Sequence, residues 1–378
     1  MRIASTLHTV LTVPALAGLG LGWAADATTV VAHPLLENPL ATPALVAVLV
    51  AIVLVIIACA FGVVAQAEHL AHRLGDPYGT LVLTLSIVLI EVILISAVML
   101  GPGEHATIAR DSVMAVSMII LNLVVGAALL VGGLRHGGLR ANATGVSAYL
   151  SVLVVLTAVA FALPGLIGRD GAYTPAQAVP IAVLTVALYA FFLYRQMGAQ
   201  RADFQELDAP GDGTATPPSS IAAVLTAHRG ELIARTVVLV LTVVPIVLLS
   251  HDMAALLDEG LQRAGAPVAL SGILIAMIVF LPETITTLRA ARTAEMQRVS
   301  NLCHGALVST VGLTIPAVLV IGLLTGQAVT LGEGPTNLVL LGTSLLLTVT
   351  TFSGRRATAL HGASHLLLFA VYALTVFA

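Results

Sequence analysis

The sequence predicts an all-α polytopic membrane protein with eleven transmembrane helices, one leading helix followed by two inverted five-helix repeats. Three observations predict it. First, 58 % of the 378 residues are apolar and only 9 % are charged, where a soluble domain carries about 25 % charged residues. Mean hydropathy is +1.04. So little charge cannot cover a water-facing surface, which excludes soluble enzyme folds. Second, eleven apolar runs approach the roughly 20 residues a helix needs to cross a bilayer. Third, the arginines fall thirteen on one side of those runs and three on the other.

The runs lie at about 7–25, 43–69, 77–100, 111–133, 145–167, 176–197, 232–250, 267–289, 297–324, 335–352 and 358–377. The first follows Arg2 and precedes small residues near 22–27, so it also fits a secretion signal. The arginine parity works with it retained as a helix. With the N-terminus in the cytoplasm, the inner segments hold Arg2, Arg73, Arg135, Arg140, Arg195, Arg201, Arg229, Arg235, Arg289, Arg292, Arg298, Arg355 and Arg356. The outer ones hold Arg110, Arg169 and Arg263. The positive-inside rule then puts the C-terminus outside a bacterial-type plasma (inner) membrane. The expected domains are a leading helix and outer loop (1–41), a first repeat (42–197), an acidic cytoplasmic linker (198–231) and a second repeat (232–378).

All 16 basic residues are arginine. Without lysine there is neither a Walker A phosphate contact nor a Schiff base, which argues against an ATP-driven pump. A net charge of −3 suggests no nucleic acid or other polyanionic partner. Cys59 and Cys303 sit in apolar runs and read as buried thiols. The 198–231 segment is rich in Gly, Pro, Ser and Thr, with Glu206, Asp208 and Asp212 interspersed. It reads as a mobile linker, either a passive hinge or a regulatory segment.

Two short matches flank that linker. Arg73-Leu-Gly-Asp-Pro77 resembles Arg263-Ala-Gly-Ala-Pro267, and each precedes a long apolar span carrying one glutamate, Glu91 or Glu283. Gly138-Leu-Arg140-Ala141 resembles Gly354-Arg-Arg356-Ala357. Five helices per copy is an odd number, so the second copy enters from the opposite face, the arrangement common in secondary transporters. It explains Arg263 as an outer arginine.

Glu91 and Glu283 each lie roughly 20–24 Å along their spans from the preceding proline, near mid-membrane. Acidic residues at that depth are costly and mark ion or proton paths. Burial and a second carboxylate both favour protonation of an empty site, whereas a divalent cation favours the ionised pair. Calcium takes six to eight oxygen ligands. Two carboxylates that hold either protons or a metal are the minimum chemistry of a cation/proton antiporter. Pro282 precedes Glu283, so a helix break could turn carbonyls near Val279 and Phe280 toward a cation. In the first copy the corresponding carbonyls are near Ile87 and Val88.

Other polar residues at depth are Asn122, Asn301, His304, Ser309 and Thr310. Repeat alignment sets Asn122 against Ser309 or Thr310, either completing a cation shell or bridging helices. His304 is either a proton relay or a packing residue. Ser364 and His365 are adjacent and diverge by about 100° on a helix, which argues against a nucleophile–base pair. There is no HExxH motif, so no intramembrane zinc protease is supported. Asn142-Ala-Thr144 fits a glycosylation sequon on the cytoplasmic side, where it is a chance match. His69, His72, Arg73 and Asp76, beside Glu68, gather at an inner mouth, either as a pH sensor or as a solvated helix end.

Four stretches resemble bacterial calcium/cation–proton antiporters of the ChaA type, in the CAX branch of the cation/calcium exchanger superfamily. They are EHLAHRLGDPYGTLVLTLSIVLIEV, LPETITTLRAARTAEMQRVSNL, VSTVGLTIPAV and FSGRRATALHGASHLLLFAVY. The resemblance implies eleven helices, an acidic linker, and a cation-site glutamate in each repeat, at Glu91 and Glu283. The wider CAX pattern has Gly-Asn-Ala-Thr-Glu where Ser-Ile-Val-Leu-Ile-Glu91 stands here. The resemblance also implies trimers, export of calcium and in some members of sodium or potassium, and protons as counter-ion, with no cofactor. The expectation is a calcium/proton antiporter. A sodium or potassium/proton antiporter is the alternative, ahead of a cation channel.

Overall fold

The computed structural model describes residues 20–26, 41–74, 78–99, 106–207, 221–267, 269–354 and 356–377. Most of the first predicted span, Asp76, Pro77, linker residues 208–220 and Arg355 lie outside them. The described chain is helical, with isolated β-bridges in its loops and no strand among these residues. Its helices are α1 Thr42–Leu74, α2 Tyr78–Met99, α3 Ile108–His136, α4 Ala143–Ile167, α5 Pro175–Met197, α6 Ile221–Ala264, α7 Ala269–Arg292, α8 Met296–Thr325, α9 Pro335–Ser353 and α10 Ala359–Thr375. Among the described residues seven are long and apolar enough to span a membrane, or eight counting bent α7, and α10 and the Thr84–Ile93 part of α2 are shorter apolar helices. They coincide with the second to eleventh predicted spans.

The chain divides into two compact units, one of residues 1–90 and 208–271, the other of 91–207 and 272–378. In the first, α1 packs along α6. The carbonyl of Leu241 is the one that Pro245 deprives of its helical donor, because proline has no N–H to return to residue i−4. The indole Nε1 of Trp23, in the short helical segment 20–26, donates to that carbonyl at 3.1 Å. Helix α6 starts at Ile221, earlier than the predicted span, and its backbone leaves helical geometry at His228 (φ −118°, ψ 18°). The predicted outer Arg263 is ion-paired with Glu259 one turn back on α6, and also donates to Thr42 Oγ1 at 3.2 Å.

In the second unit α3 and α8 lie side by side at the centre, with α9 and α10 against α3, and α4 and α5 against α8. Both central helices are buried along most of their length. Helix α3 carries a π-helical stretch, Ile119–Val124, and α4 another, Ala158–Ala162. Gly137, at φ 70°, ends α3 in the left-handed conformation glycine adopts without strain. The next residues pair: Leu139 N donates to Ala357 O at 2.8 Å and Ala357 N to Leu139 O at 2.9 Å. The two short sequence matches, Gly138–Ala141 and Gly354–Ala357, thus meet in space. Ala172 and Thr330 form a second bridge. Asn142, the sequon residue, caps α4 by accepting from Thr144 N at 3.1 Å.

Part of the predicted linker is folded. Residues 201–207 lie on the second unit, with Phe204 buried. The reason is an apolar side chain at the centre of a polar stretch, which finds an aromatic pocket.

Trp23→Phe should cost about 1–3 kcal/mol, the range for leaving an acceptor without a donor where lipid offers none in its place. In a Pro245→Ala background the restored N–H reclaims the Leu241 carbonyl, so less than half that cost should remain. Unfolding in detergent of the four proteins of this cycle checks it; equal costs in both backgrounds refute the pairing.

Candidate functional site

Both predicted glutamates belong to the second unit, and each is only 4 % exposed. Glu91 sits within the single helix α2 and accepts from the Thr310 hydroxyl of α8 at 2.6 Å through Oε2. Glu283 follows a bend of 56° between Leu270–Ile278 and Phe280–Arg292. The bend has a local cause. Pro282 cannot donate to the carbonyl of Ile278 and its ring crowds that carbonyl. Glu283 therefore stands in the first turn of the second half-helix. The neighbouring Phe280 carbonyl accepts from the Thr284 hydroxyl at 2.8 Å.

The two carboxylates lie within electrostatic range of each other. Among the described residues no donor reaches Glu91 Oε1 or either oxygen of Glu283. A buried acceptor without a donor is costly. The same residues hold no group of three or more His, Cys, Asp and Glu side chains placed to hold a metal ion. The glutamate pair has the Thr310 hydroxyl beside it.

The remaining predicted residues are distributed. Thr310 is on Glu91, as described. Ser309 accepts from Tyr189 of α5 at 3.0 Å. Asn122, in the π-helical stretch of α3, donates to Ser344 of α9 at 2.8 Å, and its Oδ1 lies 3.3 Å from Nδ1 of His365. The other nitrogen of His365 is 3.2 Å from Thr351 Oγ1. Asn122 and Ser309 therefore tie helices together, while Thr310 meets a glutamate. His304 bonds Ser300 at 2.9 Å and stacks edge-on against Phe352. Val88 is buried within α2, in the first unit. His69 is exposed and bonds the Ala65 carbonyl of its own helix at 2.6 Å, and Arg73 pairs with Glu231 of α6 at 3.1 Å. Cys59 and Cys303 are free and buried.

Sequence reasoning did not identify Tyr189, Ser344, Thr351 and His365 as partners. Ser344, Thr348 and Thr351 stand three and four residues apart, one face of α9, and that polar stripe was the available signal.

A family model described as "Sodium/calcium exchanger protein" matches residues 44–198 and 234–378. The chain belongs to the sodium/calcium exchanger family. Exchanger proteins are transporters, so this exchanger is not an enzyme. It is 32 % identical over 343 residues to the sodium-potassium/proton antiporter ChaA of Escherichia coli (strain K12), covering 89 % of this chain and 90 % of that protein. It is 35 % identical over 317 residues to the putative ionic transporter y4hA of Sinorhizobium fredii (strain NBRC 101917 / NGR234), covering 83 % and 84 % of the two. The solved structure of native YfkE aligns with a TM-score of 0.66 at 17 % identity, over 95 % of this chain and 99 % of that one. The structure of an H+/Ca2+ exchanger, CAX, aligns with a TM-score of 0.63 at 16 % identity, over 94 % and 87 %. These two likenesses show the fold.

The exchanger has a second acidic group outside its spans. Glu333, before α9, accepts from Asn337 Nδ2 at 2.8 Å, and its other oxygen is 3.9 Å from Arg110 Nε. Burial pushes its carboxyl above the ordinary value of 4.5, against the opposing pull of the Asn337 hydrogen bond and Arg110. A raised carboxyl favours the folded state in its protonated form. Its stabilisation is fully present below the ordinary value and is lost as pH rises through the raised one. Glu333→Gln should remove that decline. Melting in detergent between about pH 4 and 8 tests the linkage, and an unchanged slope in the variant would falsify it.

Proposed function

We propose that this exchanger carries calcium out of the cell in exchange for protons, by alternating access around Glu91 and Glu283. The observation that carries the reading is the buried carboxylate pair, of whose four oxygens only Glu91 Oε2 has a donor among the described residues. Such a pair is stable when something neutralises it. Two protons do so, and so does one divalent cation, whose charge suits two carboxylates and whose preference is for oxygen. Competition between those occupants is antiport. Outside, protonation releases the cation; inside, deprotonation admits the next. The likeness to YfkE, a Ca2+/H+ antiporter protein, and to CAX, an H+/Ca2+ exchanger, supports calcium.

The helix packing supports an inverted repeat of 42–197 and 232–378. Exchanging α3 with α8, α4 with α9 and α5 with α10 returns the same set of neighbours: α3–α10 becomes α8–α5, and α3–α9 becomes α8–α4. The same exchange takes the loop pair joined at Leu139–Ala357 to the pair joined at Ala172–Thr330. The family model also matches twice, once on each side of the linker. On this reading the cargo crosses a bacterial plasma membrane, with the N-terminus inside and the C-terminus outside.

The second reading, a sodium or potassium/proton antiporter on the same scaffold, is favoured by one observation, the description of ChaA at 32 % identity. A cation channel accounts less well for a neutralisable pair.

In everted vesicles with an imposed pH gradient, Glu283→Gln should abolish calcium uptake, since a neutral amide can neither bind a divalent ion as a carboxylate does nor exchange a proton. Parental uptake by that variant would refute the mechanism. Glu91→Gln should lose calcium-dependent proton release in proteoliposomes. For selectivity, excess sodium or potassium should leave calcium-driven proton movement at more than half its rate, and abolition by either ion at comparable concentration would favour the second reading.

A further inference from the structure

The first residues after α5 make an interface with no part in the glutamate pair. The 201–207 segment lies across the ends of α4, α5 and α8. Phe204 inserts edge-on between Tyr149 of α4 and Phe192 of α5, with ring centroids 5.1 Å and 5.9 Å away. Its carbonyl accepts from Asn301 Nδ2 of α8 at 2.7 Å. Asn301 in turn accepts from Gln297 Nε2 at 2.9 Å and from Tyr149 OH at 3.3 Å, and Gln196 of α5 donates to that hydroxyl at 2.6 Å.

Glu206 completes the contact. Its two carboxylate oxygens accept from the backbone N–H groups of Gln297, at 3.3 Å, and Arg298, at 3.2 Å. These are among the first amides of α8, which have no partner within the helix. Glu295, at the N-cap position, turns its carboxylate to Arg298 and Thr293 instead. A carboxylate from a separate segment thus replaces the local cap and also meets the positive end of the helix dipole. Gly145 of α4 lets this segment approach, since a β-carbon there would overlap the Asp203 carbonyl oxygen.

Helix α8 also carries Thr310, the donor to Glu91. Between Gln297 and Thr310 it has no proline, and the distance is about 20 Å of helix. A rod without a break transmits a shift of its end to its middle.

We propose that 201–207 is a positioning strap: by fixing the N-terminal end of α8 against α4 and α5, Phe204 and Glu206 hold Thr310 in register with Glu91. This rests on the reading of Glu91 and Glu283 as the cation site. Neither strap residue touches the cargo. Loosening the strap weakens cation capture while the pair that exchanges protons stays intact, so the effect falls on half-saturation rather than on maximal rate.

The test uses the full chain in proteoliposomes, with calcium and, in parallel, sodium. Glu206→Gln weakens the bonds to the two amides. Gly145→Ala leaves every strap side chain in place and, alanine being the better helix former, does not weaken α4, but it displaces the Asp203 carbonyl. Both variants should raise the half-saturating cation concentration roughly five-fold, the lower end of coupling between separate sites, with the maximal rate retained. The calcium concentration giving half-maximal thermal protection in detergent should rise in parallel. Glu206→Asp, which keeps a carboxylate, should recover most of the parental value. If both variants melt earlier yet keep parental half-saturation, the strap is only a stabilising cap and the proposal is overturned. It also fails if Glu206→Gln shifts half-saturation and Gly145→Ala does not. Glu283→Gln is run alongside: parental transport in that variant removes the site reading itself, a failure distinct from that of the strap.

Discussion

A hydrocarbon slab holds no water to complete a missing hydrogen bond, and that constraint governs how this chain is built. Inside the slab, a backbone group freed by a helix break must be met by something else in the protein, and a helix start here finds a protein partner too. The carbonyl stranded by Pro245 is met by the indole of Trp23. The first amides of α8 are met by Glu206. Against that background the glutamates stand apart. Among the described residues, three of their four oxygens have no donor, and Thr310 serves the fourth. On the proposed reading these oxygens are left for groups that come and go.

The packing of the second unit carries the same logic into its loops. An antiparallel bridge joins the α3–α4 loop to the α9–α10 loop, and another joins the α4–α5 loop to the α8–α9 loop. Each bridge satisfies backbone groups where helices end, and each ties the ends of helices flanking both α3 and α8. The proposed repeat turns one bridge into the other. If α3 and α8 move as the site alternates, these two tethers are the places where the unit stays whole. The strap meets the start of α8, and the linker that supplies it occurs once in the sequence.

The parts of this design legible in the sequence are those set by local chemistry. Hydropathy placed ten helices, since the length needed to cross a bilayer is a property of one segment. Scarcity of charge singled out Glu91 and Glu283. Pro282 announced the bend, because its missing N–H acts four residues away. What could not be read is partnership at long range. Trp23 and Leu241 are separated by most of the chain, and nothing near either names the other. Asn122 aligned with Ser309 or Thr310 in the repeat, yet the π-helical stretch and the neighbouring α9 and α10 give it Ser344 and His365 instead. The linker composition pointed to a mobile hinge. One phenylalanine and one glutamate overrode it over 201–207, and composition averages hide single residues of that kind.

Charge balance connects the site to the choice between the two readings. In a low-dielectric interior an unneutralised charge is far costlier than in water. A pair of carboxylates that reorients between the two faces must therefore cross close to neutral. One calcium ion makes it neutral, and so do two protons, so a calcium-for-two-protons cycle has a neutral site on both journeys. One sodium ion alone leaves a charge behind, unless one glutamate keeps its proton. Monovalent exchange on this scaffold would then use one glutamate as the exchanging group and the other as a silent acid. The asymmetry between the two glutamates bears on that division: Glu91 is held by Thr310 within an unbroken helix, whereas Glu283 stands at the start of a half-helix with no donor to either oxygen among the described residues. A donated hydrogen bond favours a carboxylate in its ionised form, so in such a division Glu91 is the group better placed to exchange, and Glu283 the one better placed to keep its proton. Calcium needs both to ionise, which is why the calcium reading makes each glutamate indispensable and the monovalent reading does not.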